Sequence, residues 1–307
     1  MITTVCMNPS FDKTASVEAI ATGHVNRLSD VRYDVGGKGI NVAIVLKRLQ
    51  VEVSCVGCLG ADDETAFLTM LQKDALDFRY LRLAGKVRTN LKIYDQQSKS
   101  VTEFNEPGLT MNDEERERFL ALLAKEAESS RYVVLSGKLP IGCAEDPYRD
   151  CLAKLPGKDC ILDAAGDSLL HGLKEKPFLV KPNLPEMEGI MKKELRTLRS
   201  IRDAALFLIQ YGARNVIVSM GKYGAMYTNG DDTLFAPALQ VKTRSTVGAG
   251  DAMIGGLLMG LDKGEDLRSS FRYGVAAGAA SVMTDGTQLI KGNDFERLLP
   301  KVMLQEV

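Results

Sequence analysis

The sequence has little net charge, few histidines and no long apolar run, and each shortage excludes something. Lys and Arg number 39 against 40 Asp and Glu, a formal net charge of −1. A generic binder of nucleic acid or of an anionic membrane needs a basic excess, so neither partner is expected. No stretch approaches the ~20 apolar residues that span a bilayer. The longest candidate, Ala252 to Leu261, is short and interrupted by glycine. The opening MITTVCMNPSFDKTASVEA has no basic segment leading into an apolar one, so no secretory signal is expected and the expected compartment is the cytoplasm. His24 and His171 are the two histidines. Cys55 and Cys58 form a CxxC, which reads as half a zinc site or as a redox pair. There is no second CxxC, and this one lies in the apolar run EVSCVGCLG. Cys6, Cys55, Cys58, Cys143, Cys151 and Cys160 are therefore expected to be buried structural thiols. The chain also lacks a GxGxxG dinucleotide fingerprint, an internal repeat and any low-complexity tract.

What remains is an ordinary globular composition, with 45% hydrophobic and 26% charged residues. It excludes a disordered, collagen-like or disulfide-scaffold chain. A length of 307 residues suits two domains or one large α/β unit, and either buries a sizeable core. From about Val42 onward, strand and helix patterns alternate. Val42, Val45, Leu46 and Leu49 share one helical face. VSCVGCLG reads as a strand, and Asp62 and Asp63 then cap a helix carrying Phe67, Leu68 and Leu71. Asn112 opens a charged helix with Phe119, Leu123 and Ala127 on its apolar face. RYVVLSG, CILDAAG, FLVKPN and NVIVSMG are short apolar strands, each followed by a helical segment. This pattern predicts a mostly parallel sheet covered on both faces, with ligands at the carboxyl ends of its strands. Two regions, about 12–36 and 88–105, break the alternation. TNLKIYD and SVTEFN flank DQQSKS like a hairpin. These regions predict a small second sheet, which needs another surface to cover its apolar face. It would either fold over the active site as a lid or pair with a second subunit. No linker separates it, so the chain 1–307 reads as one domain.

Four segments could carry chemistry. STVGAGDAMIGGLLMGL puts Gly248, Ala249 and Gly250 immediately before helical periodicity. A glycine turn entering a helix exposes amide N–H groups and the positive end of the dipole, a geometry suited to phosphate. Asp251 in the first turn could take the proton of an acceptor hydroxyl, or it could merely complement the dipole. DVGGKGIN groups Gly36, Gly37 and Gly39 around Lys38, with Asn41 one turn on. Lys38 offers a point charge for phosphate and Asn41 an amide for hydroxyls; the alternative is a flexible turn with an exposed lysine. It is not a Walker A loop, for no Ser or Thr follows the lysine. KPNLPE brings Asn183 and Glu186 close together, either for Mg²⁺ held through water or as a helix cap. SMGKYG, Ser219 to Gly224, is a further strand-end glycine loop. Asp12, the pair Arg88 and Asn90, and Ser136 with Gly137 complete the candidates. Arg88 has the planar geometry for bidentate phosphate binding.

In this order NPSFDKT, GGKGIN, RTN, SGKLP, VKPN with NLPE, SMGKYG and STVGAGDA resemble the ribokinase-like PfkB family of carbohydrate kinases, from Asn8 to about Thr287. Within it the chain looks most like the 1-phosphofructokinase and tagatose-6-phosphate kinase groups. The resemblance implies a central sheet flanked by helices, a small β lid, and transfer of the ATP γ-phosphoryl to a sugar hydroxyl. It implies Asp251 as catalytic base, with Gly248, Ala249 and Gly250 as the anion hole. It implies Asp12, Gly36, Gly37, Lys38, Asn41 and Ser136 at the sugar phosphate, with Arg88 and Asn90 near its phosphate. Lys181, Asn183, Ser219, Gly221 and Gly224 would contact ATP, and Glu186 would organise Mg²⁺ through water. Fructose 1-phosphate is the expected acceptor; tagatose 6-phosphate and fructose 6-phosphate are the alternatives, and a non-catalytic sugar-phosphate binder is a remoter one. Cys6, Lys138, Ala164 and Ala165 depart from the family pattern and bear on substrate preference. A second copy of the chain, paired through the lid, is the expected macromolecular partner.

Overall fold

Apolar runs that alternate with amphipathic helices leave one economical solution, a sheet buried on both faces. The computed structural model describes residues 1–142, 146–284 and 288–307, so Cys143 and Thr287 lie outside the described residues. The chain starts with β1 (Ile2–Cys6) and runs out into β2 (Ser10–Val17) and β3 (Ser29–Gly36). Helix α1 (Lys38–Arg48) returns to β4 (Val53–Gly60), and α2 (Glu64–Leu71) leads to β5 (Phe78–Leu83). A hairpin follows, β6 (Arg88–Asp95) with β7 (Ser100–Asn105). Then come α3 (Asp113–Glu126), β8 (Tyr132–Ser136), α4 (Pro147–Ala153) and β9 (Asp159–Asp163). Next are α5 (Gly166–Gly172), β10 (Leu179–Val180), α6 (Leu184–Met191), α7 (Leu198–Gln210) and β11 (Val216–Ser219). The last elements are β12 (Ala225–Thr228), β13 (Thr233–Ala236), α8 (Ala249–Asp262), α9 (Leu267–Ser281), α10 (Gly292–Leu298) and β14 (Gln305–Glu306).

The large sheet has the order β14-β13-β12-β11-β10-β9-β8-β1-β4-β5. Pairing is parallel from β5 to β11 and antiparallel from β11 to β14. Helices α1, α2, α8, α9 and α10 cover one face, and α3 to α7 the other. The α/β architecture with a mostly parallel sheet is thus the one the sequence predicts. The strand reading, which begins near Val42, passes over β1, although β1 lies in the middle of the sheet. Thr3 and Thr4 interrupt its apolar pattern. The Thr3 hydroxyl is satisfied internally, 2.8 Å from Ser130 Oγ and 3.2 Å from Ser54 Oγ.

From β1 the chain first builds outward through β4 and β5, then reverses to β8 on the other flank. Strand order therefore switches between β1 and β8, and the crevice beyond their carboxyl ends is where such sheets bind ligands. The segments after β1 and β8 are NPSFD and GKLP.

Local signals behave unevenly. Asn112 and Glu115 form a reciprocal capping box on α3. Asp63 does occupy the start of α2, but its carboxylate accepts the Val87 N–H at 3.0 Å rather than capping the helix. Cys6, Cys55, Cys58, Cys151 and Cys160 are buried. Cys55 packs on the α1 side and Cys58 on the α3 side, because residues three apart on a strand face opposite ways. The CxxC thus cannot close on one metal or one disulfide.

The second sheet has the order β3-β2-β6-β7. Its faces are inverted relative to ordinary amphipathic sheets. Asp12 pairs with Asn90 across β2 and β6, and Ser10, Asp12, Arg88, Asn90 and Lys92 on that face are all buried. On the other face Tyr33, Lys13, Leu91 and Phe104 form one cross-strand row, with Tyr33 52% and Phe104 57% exposed. Among the described residues no helix is long and apolar enough to cross a membrane.

Candidate active site

The loop from β3 into α1 passes unusually close to the end of β1. Gly37 has φ +122°, and a Cβ there would lie 2.5 Å from Cys6 Sγ. A Cβ on Gly39 would lie 2.1 Å from the Val5 carbonyl oxygen, so no larger residue fits. The helix therefore begins at the switch-point crevice, with Lys38 and Asn41 on its first turns. Gly36 borders the Asp12 carboxylate, 2.8 Å from where its Cβ would be.

The second glycine turn opens α8. Gly248, the N-cap, has φ +77° and no side chain to cap the helix. The first amides of α8 have no carbonyl to bond within the helix and carry the positive end of its dipole. Gly250 faces the Lys181 ammonium, which would lie 3.0 Å from a Cβ at that position. Asp251 in this first turn is 5% exposed, and its Oδ2 accepts a 2.8 Å hydrogen bond from Asn41 Nδ2. Burial pushes the Asp251 pKa up and the neighbouring Asp163 adds to this; Lys38, Asn41 and Lys181 pull the other way.

Asp163, at the end of β9, joins two lysines. Its Oδ2 lies 3.2 Å from Lys38 Nζ and its Oδ1 3.3 Å from Lys181 Nζ. Burial opposes its charge, but Lys181 and Lys38 outweigh this and hold its pKa below the usual carboxylate value. Burial likewise works against the charge on Lys38, yet Asp163, Asp251 and Glu186 raise its pKa. Asp251, Asn41, Lys38, Asp163, Lys181 and Glu186 are thus one electrostatic neighbourhood. Gly137, after β8, runs beside Lys38, and the Tyr148 hydroxyl donates to its carbonyl at 3.0 Å. Ser136 just before it is buried, and its hydroxyl has no hydrogen-bond partner among the described residues.

A second neighbourhood lies on the buried face of the small sheet. Asp12 accepts from Ser10 Oγ and Asn90 Nδ2, each at 2.9 Å, and from Lys92 Nζ at 2.7 Å. Arg88 donates to Asn90 Oδ1 at 2.7 Å and to the Asn8 carbonyl at 3.2 Å. Burial lowers the Arg88 pKa, against the pull of Cys6 and Asp12. Asn8 is itself fixed by donating to the carbonyls of Pro107 and Leu139.

The remaining residues end neighbouring strands. Asn183 and Glu186 form a reciprocal capping box on α6, with bonds of 2.8 and 2.9 Å. The cap reading is therefore correct, and one Glu186 oxygen remains outside the box. Asn183 bridges to Ser219 at the end of β11. Gly221 (φ +53°) opens the turn that follows. Gly224 is demanded by the fold itself, since a Cβ there would lie 2.0 Å from the Ala236 carbonyl.

Two members of this constellation are not among the site residues that the sequence proposes, although LDAAG keeps the family's acid at Asp163. Lys92 is 6% exposed beside Asp12, and Asp163 is 1% exposed between the lysines. Period-two spacing in RTNLK puts Arg88, Asn90 and Lys92 on one face, and Asp163 ends a strand as the other candidates do. Each signal was present but unremarkable in isolation. The sequence reading pairs Lys38 with Arg88 as two phosphate anchors. Here Lys38 is turned toward Asp163, and the cation beside Asp12 is Lys92. Of the departures, Lys138 is exposed, Ala164 packs into the core, and Ala165 leaves the start of α5 without a side-chain cap.

Comparison with known proteins agrees with this arrangement. The pfkB family carbohydrate kinase pattern matches residues 6–292. A 1-phosphofructokinase of Vibrio cholerae is 33% identical over 290 residues, covering 94% of this chain and 91% of its own. A 1-phosphofructokinase of Bacillus subtilis is 33% identical over 305 residues, 98% of either chain. Phosphofructokinase-2 from Escherichia coli, solved with potassium, superposes with a TM-score of 0.90 at 28% identity over 98% of both chains. Another structure of that enzyme is its tetrameric inhibited form. With a family match over nearly its whole length and relatives this similar, the chain belongs to the pfkB family of carbohydrate kinases.

Proposed function

We propose that the protein transfers the γ-phosphoryl group of ATP to fructose 1-phosphate, giving fructose 1,6-bisphosphate and ADP. The observation that carries this is Asp251, a buried carboxylate in the first turn of α8, held by Asn41 from the opposite side of the crevice. Its raised pKa suits proton abstraction from an alcohol. The acceptor hydroxyl gives its proton to Asp251 as its oxygen bonds to phosphorus, and the bond to the ADP oxygen breaks. The first amides of α8 and Lys181 face the charge gathering on the transferred group.

The polar face of the small sheet takes the rest of the acceptor. Arg88 anchors the phosphate already on the sugar, and Lys92 adds positive charge beside it. Asp12, Asn90 and Asn41 have acceptors and donors for sugar hydroxyls. Gly36, Gly37 and Ser136 border the same space. Asn183, Ser219 and Gly221 line the nucleotide side. Glu186 fits Mg²⁺, which keeps its waters and takes one or two carboxylates, because one of its oxygens is outside the capping box and its charge is felt at Lys38. When bound, that ion would neutralise charge on the ATP phosphates.

The outward row Tyr33, Leu91 and Phe104 supports a second role for the small sheet, pairing with another copy of the chain. Tyr33 and Phe104 are exposed at the two ends of this row, with half-buried Lys13 and Leu91 between them, and exposed apolar side chains on one sheet face mark such contacts.

A coupled assay of ADP release over fructose 1-phosphate, tagatose 6-phosphate, fructose 6-phosphate and fructose tests the reading. The expected result is the highest kcat/KM on fructose 1-phosphate. A clear preference for fructose would remove the phosphate-anchoring role of the small sheet.

A further inference from the structure

Leu289 has a left-handed backbone, with φ +53°, which a branched apolar residue rarely adopts. It is 1% exposed, and its Cδ2 lies where a Cβ on Gly248 would come within 2.5 Å. Leu289 is thus the packing surface behind the glycine turn that opens α8. Its own carbonyl accepts the Thr284 hydroxyl at 2.6 Å. The carbonyls on either side are both taken by one side chain. Arg48 Nη1 donates to Gln288 O and, at 3.4 Å, to Ile290 O. Arg48 Nη2 is fixed in turn by Asp74 Oδ1 at 2.8 Å.

Arg48 is the last residue of α1, the helix whose early turns carry Lys38 and Asn41. One helix therefore reaches the reacting centre twice. At one end Asn41 holds Asp251; at the other Arg48 holds the segment that backs Gly248. From this geometry we infer that Arg48 is a positioning residue for phosphoryl transfer, acting through Leu289 on the Gly248–Gly250 turn.

The physical case rests on what else could hold that conformation. A left-handed leucine is strained and persists only where its surroundings over-determine it. The planar guanidinium reaches two carbonyls and one carboxylate together, which a lysine ammonium cannot do with the same geometry. Freed from Arg48, the 288–290 segment relaxes toward ordinary backbone, and Leu289 leaves the back of Gly248. The amides of the turn then lose their aim at the transferred group. An error of about 1 Å in such an aim costs on the order of 10²-fold in rate.

The inference rests on the turn receiving the phosphoryl group, as proposed above. The test is steady-state kinetics on Arg48→Ala, Arg48→Lys, Leu289→Ala and the double variant Arg48→Ala/Leu289→Ala, with fructose 1-phosphate and ATP. Arg48→Ala is expected to lower kcat about tenfold or more while the sugar-phosphate KM stays within twofold, with partial recovery in Arg48→Lys. Leu289→Ala is expected to match it, and the double variant to be no worse than the poorer single one. Circular dichroism and thermal melting identify folded samples. A folded Arg48→Ala enzyme with unchanged kcat would overturn the inference. So would additive losses in the double variant, since Arg48 would then act by some other route. Should Arg48→Ala not fold, Arg48→Lys and Leu289→Ala carry the comparison. Asp251→Asn assayed alongside separates the two ideas: its full activity would sink the site assignment, whatever Arg48 does.

Discussion

Asn41 donates a 2.8 Å hydrogen bond to Asp251 across 210 residues of chain. The two side chains come from separate glycine-led helices, α1 and α8, that meet at the switch point of the sheet. The bond fixes one carboxylate oxygen and leaves the other for a proton. Most of what can be tested follows from that carboxylate and the charges around it.

Asp251→Asn should lower kcat by at least about 10²-fold, the usual contribution of a general base. The KM for ATP should stay nearly constant, because the amide keeps the size of the carboxylate and the surrounding turn. Initial-rate kinetics on the folded variant check this; near-normal turnover would exclude Asp251 as the base.

The raised pKa of Asp251 predicts an acid limb in kcat/KM above the ordinary carboxylate value of 3.8. The folded state binds this proton more tightly than the unfolded chain does. Stability from the protonated form is therefore full below 3.8 and is lost as pH rises through the raised value. At neutral pH the ionised carboxylate costs stability, so Asp251→Asn should melt at a higher temperature than the wild type. A lower melting temperature at pH 7 would contradict the buried-charge account.

Asp163 carries the opposite sign. Its pKa is held down, so its contribution is present above 3.8 and is lost as pH falls through the depressed value. Asp163→Asn removes the ion-pair partner of Lys181, which is 4% exposed. A loss of about 3 kcal/mol is expected at neutral pH, as for other broken buried pairs. Denaturant melts at pH 7 and pH 3 should show that loss shrinking in acid.

Arg88→Ala should raise the sugar-phosphate KM far more than the ATP KM, because Arg88 lies in the small sheet with Asp12 and Asn90. Equal effects on both would argue against a role at the acceptor phosphate. Lys92→Met should destabilise the fold by about 3 kcal/mol by leaving Asp12 buried and unpaired. Lys92→Met combined with Asp12→Leu should cost less than the sum of the single changes. Urea melts of the three variants check the coupling.

Phe104→Glu tests self-association. A charge in the outward row Tyr33, Lys13, Leu91 and Phe104 should shift the protein toward monomer in analytical ultracentrifugation. The same sedimentation coefficient before and after would remove that row from any interface.

Much of this was legible along the chain. Continuous apolar strands between amphipathic helices determined a parallel sheet covered on both faces, because side-chain period and burial are local properties. Glycines before Lys38 and before Asp251 marked both turns, because only glycine permits those backbone approaches. The order of the seven motifs placed the strand ends. Tertiary structure alone decided the partners. Lys38 could have faced Arg88 or Asp163, and nothing near it in sequence chooses between them. Lys92 looked like any lysine in a hairpin until the sheet turned its polar face inward. Strand β1 was hidden because Thr3 and Thr4 break its apolar run, and Thr3 is satisfied by Ser54 and Ser130, residues brought beside it only by folding. A charge or hydroxyl is read by what lies within about 3 Å of it, and over separations of tens to hundreds of residues only the packed chain determines that neighbour.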